Sequence, residues 1–389
     1  MTTKKKLRIV IKIGSNLITE NGNILNYKLI ENLCDQISVI RKSQHQVIIV
    51  SSGAVAAGNQ YLSKYEKNVN INNNSIVQKQ LLASIGQPIL MNAYEKFFSE
   101  RSIMISQALL SRNDFENRLG YLNIRNTLSE LLMLDIIPII NENDVVSTEE
   151  LTGNVYGDND RLSAMVSNAI DADLLILLGT IDGLYTSDPN ITKDAKKINI
   201  VEDITDEIIN FAEGSIDGIG SGGMTSKIQA ANISINSGTE MFIASGLEND
   251  VLTRIISGEI IGTKFLSKQS LNESRKRWLI TGYSSSKGDI TLDEGAIKAI
   301  KNKGSVLPPG IKNTSGDFDR GDIIGIKNSI DKVIGWGISN YSSKEISKIK
   351  GINSSKIIDI VEKNYGSEVI HRNNLVPVSY THLTLPTKA

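Results

Sequence analysis

Apolar residues in this chain come in short runs that alternate with amphipathic stretches. The first run, 7-LRIVIKIG-14, predicts a buried strand ending in a turn. The segment 27-YKLIENLCDQISVIRKS-43 spaces its apolar positions as a helix does. It leads into 46-QVIIVSSGAVAAG-58, apolar for four residues and then small residues that open a helix. The alternation continues through 103-IMISQALLS-111, 136-IIPIINEND-144 and 174-LLILLGTIDGLY-185, with helical patterns between them. Apolar strands alternating with helices predict an α/β fold, a mainly parallel sheet sandwiched by helices. Such sheets bind ligands beyond the carboxyl ends of their strands. Gly14 and Ser15, Ser51 to Gly53, Asn141 to Asp144, and Gly179 with Thr180 all stand just past those ends. One pocket along one sheet edge is the expectation.

The pattern changes near residue 270. From 275-RKRWLITGYSSSKGDITLDEGA-296 onward, short β-like runs, turn residues and the pair Pro308-Pro309 predict a smaller, mostly β domain. The expected division is 1–271 and 272–376, with 377–389 read as a non-native or disordered tail. At 389 residues there is room for two cores. With 42 basic and 43 acidic residues, no global field draws the chain to nucleic acid or membrane. A single cysteine, Cys34, rules out an internal disulfide and suggests a reducing, cytoplasmic setting. No apolar run is long enough for a membrane span, and Arg8 and Lys12 interrupt the first one.

The candidate chemistry lies at the strand ends. Lys12 sits inside an apolar strand, which is costly unless the ammonium snorkels to water or meets an anion. In 51-SSGAVAAG-58, small residues at a strand-to-helix turn free backbone N–H groups for a carboxylate or phosphate, though tight packing alone explains a lone SSGA. In 157-GDNDRLSA-164, Asp158 to Asp160 suit helix capping. Together with 141-NENDVV-146, that is more polarity than capping needs, and it suits an amino-acid ammonium group. The stretch 220-GSGGMTSK-227 is a glycine loop running into a helix, without the Walker spacing. Lys227, in the first helical turn, opposes the helix dipole unless it reaches toward a polyphosphate. Two lysines with glycine-lined amides suit phosphoryl transfer, where positioning and charge neutralisation carry the catalysis.

In order along the chain, 12-KIGSN-16, 50-VSSGAVAAG-58, 80-QLLASIGQP-88, 138-PIINENDVV-146, 157-GDNDRLSA-164, 183-GLYTSDP-189 and 220-GSGGMTSK-227 resemble the glutamate 5-kinases of the amino acid kinase superfamily. The later segments 304-GSVLPPGI-311, 316-GDFDRGD-322 and 334-IGWGISNYSS-343 resemble a PUA domain. The resemblance implies the amino acid kinase fold and ATP-dependent phosphorylation of the side-chain carboxylate of L-glutamate, the step that opens proline biosynthesis. By motif it makes Lys12, Asp160 and Lys227 catalytic, with Asp160 orienting the lysines. Ser52, Asp144 and Asn159 bind glutamate. Lys12, Gly179, Thr180, Ser221, Gly222, Gly223, Met224, Thr225, Ser226 and Lys227 line the ATP site. Mg²⁺ accompanies the nucleotide, and no residue is assigned to a metal. Proline feedback and a homodimer or homotetramer are implications of the resemblance alone. The family usually carries aspartate where this chain has Thr180, and threonine at Ser221 and Ser226. Two other readings compete: a kinase for another amino-acid carboxylate, and an RNA-binding protein acting through the PUA domain. The short cluster Arg275 to Arg277 favours the second only weakly, because the chain is not basic overall.

Overall fold

The computed structural model describes residues 6–20, 22, 24–65, 75–147, 158–189, 191–213, 223–267, 286–302, 304–363 and 365–377. The chain divides into two compact units, Met1–Leu271 and Asn272–Ala389. In the first, the apolar runs become strands β1 (Arg8–Ile13), β2 (Gln46–Ser51), β3 (Ile105–Leu110), β4 (Ile137–Glu142) and β5 (Leu174–Gly179). Three more strands follow: β6 (Ile200–Val201), β7 (Glu240–Ser245) and β8 (Thr263–Phe265). The eight-stranded sheet runs in the order β6-β8-β7-β5-β1-β2-β4-β3. Every pairing is parallel except that of β7 with β8.

Helices α1 (Tyr27–Lys42), α2 (Ala54–Tyr65), α3 (Ile76–Ser99), α4 (Arg118–Met133), α5 (Asp158–Ala169), α6 (Asp206–Glu213), α7 (Met224–Asn236) and α8 (Val251–Ser257) cover both faces. Alternation along β1 divides the core between those faces. Ile9, Ile11 and Ile13 pack with residues of α1, α3 and α8, such as Leu33, Leu90 and Leu252. Val10 packs on the other face with Leu128 of α4, Leu162 of α5 and Ile228 of α7. Among the described residues, no helix is long and apolar enough to cross a membrane.

Helices α2 and α3 meet backbone to backbone at two glycines. A methyl group on Gly86 would lie 1.8 Å from the Ala54 carbonyl oxygen, and one on Gly58 would lie 1.9 Å from that of Leu82. This contact locks the middle of α3 beside the 51–54 turn. That turn needs its own glycine: Gly53 has φ +108°, and a Cβ there would meet Ile18 at 2.9 Å.

In the second unit, β9 (Gly288–Leu292), β10 (Ile311–Gly316), β11 (Ile323–Lys327), β12 (Val333–Ile338) and β13 (Leu375–Pro377) form a five-stranded sheet in the order β10-β9-β11-β12-β13. Only β9 and β11 pair in parallel. Helices α9 (Glu294–Lys301) and α10 (Ser343–Ile349) accompany the sheet, and Ile290, Phe318, Ile324, Tyr341 and Ile346 centre its core. Pro377 pairs with Gly335 in β13, so ordered structure continues one residue past the expected domain end at 376. Residues 378–389 of the expected 377–389 tail, and the basic cluster Arg275 to Arg277, lie outside the described residues.

The close contact yields a prediction. Gly86→Ala forces α2 and α3 apart and lowers stability by roughly 1–3 kcal/mol, the range for overpacking. Urea unfolding measures the loss, and an unchanged midpoint would contradict the contact.

Candidate active site

The two-residue period of a strand places Lys12 on the same face of β1 as Val10, under α5 and α7. Its register neighbours are Val50 on β2 and Leu177 on β5, so the ammonium rises from the middle of the sheet and is only 6% exposed. It does not snorkel to water. Its Nζ lies 2.5 Å from Oδ1 of Asp160, in the first turn of α5. Asp160 is 0% exposed. Its other oxygen, Oδ2, lies 3.4 Å from Nζ of Lys227 in the first turn of α7. Ser226 Oγ stands 2.8 Å from both Asp160 Oδ2 and the Gly223 carbonyl oxygen, which share its proton.

This geometry decides the charge of Asp160. Burial pushes its carboxyl up. The charges of Lys12 and Lys227, with hydrogen bonds from Lys12 and Ser226, outweigh burial and hold it at about 2, against an ordinary 3.8. The unit therefore consists of two ammonium groups around one carboxylate at the carboxyl end of the sheet. Two glycines border it. A methyl group on Gly14 would sit 3.6 Å from Lys12 Nζ, and one on Gly179 would sit 3.9 Å from Lys227 Cε.

A chain of amides stands next to the charged unit. Asn159 Nδ2 donates to Ser52 Oγ at 3.0 Å and to Asn141 Oδ1 at 3.2 Å. Asn141 Nδ2 donates in turn to Gln87 Oε1 on α3 at 2.9 Å. Capping therefore does not account for Asn159 and Asp160: both side chains reach away from the start of α5. Asp144 stands in the turn just beyond β4, half-buried. Thr180, one residue past β5, is exposed. Gly223 precedes α7, whose first turn includes Met224, Thr225, Ser226 and Lys227. Ser221 and Gly222 lie outside the described residues.

From sequence, Gln87 had no role, and Asn141 figured only as part of the polar cluster after β4. Both fall in stretches quoted as motifs, 80-QLLASIGQP-88 and 138-PIINENDVV-146. The available signal was polarity where a buried strand or helix face should be apolar. Their connection is tertiary, and spacing does not show it.

Fold and site together define a class, α/β proteins with a buried charged cluster at the carboxyl ends of a mainly parallel sheet. The profile of the amino acid kinase family matches residues 7–245, and that of the PUA domain matches residues 288–361. The chain is 44% identical over 374 residues to a glutamate 5-kinase of Dehalococcoides mccartyi, covering 95% of this chain and 98% of that one. It is 45% identical over 371 residues to a glutamate 5-kinase of Caldanaerobacter subterraneus subsp. tengcongensis, covering 95% and 97%. Among solved structures, UMP kinase from Bacillus anthracis aligns with 68% of this chain and 98% of its own at a TM-score of 0.43 and 18% identity. The chain belongs to the amino acid kinase family and, within it, to the glutamate 5-kinases.

The charge of Asp160 makes stability depend on pH. A carboxyl held at about 2 when folded and 3.8 when unfolded stabilises the fold fully above about pH 4, and this stabilisation is lost as the pH falls through 2. Replacing Asp160 by Asn removes the buried carboxylate that both lysines contact and costs about 3–5 kcal/mol at pH 7. Denaturant unfolding of both proteins from pH 7 to pH 2 should show the gap narrowing toward the acid end. A gap independent of pH would contradict an ionised Asp160.

Proposed function

We propose that this protein transfers the γ-phosphoryl group of ATP to the side-chain carboxylate of L-glutamate, giving γ-glutamyl phosphate, the first step toward proline. The observation that carries the reading is the buried Asp160 carboxylate gripping Lys12 and Lys227 at the sheet's carboxyl end. Membership of the glutamate 5-kinases supplies the substrate and ATP as phosphoryl donor.

The nucleophile needs no base, because a free glutamate side chain titrates near 4.3 and is ionised at neutral pH. An oxygen of that carboxylate attacks the γ-phosphorus. The new O–P bond forms as the bond to the β,γ-bridging oxygen breaks, and ADP leaves with the electron pair. Lys12 and Lys227 offset the negative charge of the transferring group, and Asp160 keeps both ammonium groups aimed. The turn at Ser52 and Gly53 opens α2, and although the Ser52 N–H donates to the Ile13 carbonyl at 3.2 Å, a helix N-terminus favours an anionic substrate. Ser52 Oγ accepts from Asn159, so its own proton is left for a carboxylate oxygen. Among the described residues, no group of three or more histidine, cysteine or acidic side chains is placed to hold a metal ion. Magnesium would enter as the ion carried by the nucleotide phosphates.

Gly179, with Thr180 beyond it, and the start of α7 lie on the Lys227 side of the unit, and we assign them to the nucleotide. Ser52, Asn159 and the nearby turn at Asp144 lie on the amide side, and we assign them to glutamate. A cytoplasmic setting, a homo-oligomer and inhibition by proline belong to the same reading.

The test is ATP turnover with Mg²⁺ and L-glutamate, with hydroxylamine present to trap the acyl phosphate as a hydroxamate. Glutamate-dependent hydroxamate is expected. Hydroxamate only with aspartate or acetylglutamate would overturn the substrate, and ATP loss without hydroxamate would overturn the carboxylate acceptor. In the same assay Lys227→Ala lowers kcat by about a hundredfold or more. Asn159→Ala mainly raises KM for glutamate, and near-normal kcat in the lysine variant would remove its phosphate role.

A further inference from the structure

The amide chain has a direction, and that direction says what it can recognise. An asparagine side chain can be turned end for end, and only its hydrogen-bond partners say which way it faces. Here one partner cannot be inverted. The main-chain N–H of Glu142 donates to Asn141 Oδ1 at 2.9 Å, which makes that atom the oxygen. Asn141 must then present its NH₂ to Gln87, whose near atom is Oε1, and its oxygen to Asn159, whose near atom is Nδ2. All three amides run head to tail. The chain ends in a free carbonyl oxygen, Asn159 Oδ1, beside the charged unit, and in a free NH₂, Gln87 Nε2, at the far end. Asn159 is 5% exposed and Gln87 7%, and neither end atom has a partner. A buried acceptor left unsatisfied is costly, so one beside a substrate site calls for a donor from the ligand.

We propose that Gln87 is a positioning residue of the amino-acid subsite. Through Asn141 it fixes the Asn159 amide so that Oδ1 meets the α-ammonium group of the substrate. The helix contact at Gly58 and Gly86 supports this, because it sets α3 rigidly one residue before Gln87. The subsite thus selects an amino acid over the corresponding dicarboxylate without an amino group. This rests on the glutamate kinase reading and deepens it.

The test compares kcat/KM for L-glutamate with that for glutarate, its des-amino analogue, in wild type and in Gln87→Met, which keeps the length and removes the acceptor. The ratio should fall about tenfold in Gln87→Met, the low end for a hydrogen bond to a charged group. KM for ATP should stay within about twofold, since Gln87 is remote from the nucleotide side. A ratio unchanged within about twofold overturns the proposal, as does an equal loss for both substrates and for ATP, which marks a merely structural role. Gln87→Glu keeps an oxygen toward Asn141 and is the second variant if Gln87→Met fails to fold. It should retain most of the ratio, and a collapse there would shift the role to Nε2 and overturn the assignment. Failure of the kinase reading is separate, because wild type would then give no hydroxamate with glutamate at all.

Discussion

The site depends on one buried carboxylate that keeps its charge until the pH falls to about 2. Taking an ion out of water costs several kcal/mol, and Asp160 has no contact with solvent. What makes it tolerable is the pair of ammonium groups at 2.5 and 3.4 Å, together with the Ser226 hydroxyl. The dependence is mutual, because Lys12 and Lys227 are themselves almost wholly buried and need the anion. Three charges that would each be unfavourable alone become a fixed unit at the carboxyl end of the sheet. A site of this kind is oriented before any substrate arrives, which is what electrostatic stabilisation of a transferring phosphoryl group requires.

The rest of the first unit serves to bring those groups together. Alternation along β1 points Lys12 at α5 and α7, and both helices present their charged residues in the first turn. They approach each other through small buried residues, Ala164, Ala230 and Ala231 among them. Bulkier side chains there would widen the gap that Asp160 bridges. The glycine contact between α2 and α3 does the same for the neutral half of the site, carrying Gln87 to Asn141. Charge handling and amino-acid recognition are thus built from different helices on one sheet.

Much of this was legible in the chain. Each apolar run became a strand within a residue or two, because a strand buried on both faces has little choice of composition. Strands β6, β7 and β8 were not singled out: β6 spans two residues and β8 three, too few to show a period. Lys12 and Lys227 were legible as misfits, a cation in an apolar strand and a cation at the wrong end of a helix. Their common partner was less so, since DND before a helix also suits a cap. The Gln87–Asn141–Asn159 chain was not legible, because its members are separated by 54 and 18 residues and only the tertiary fold joins them.

The most direct measurement is the single-turnover rate of hydroxamate formation in Lys12→Ala, Lys227→Ala and the double variant. If Asp160 makes the two lysines one unit, the double variant is no more than about threefold slower than the slower single variant, as for groups that act together. If the two losses multiply, the lysines act independently, and the carboxylate between them is not what organises the site.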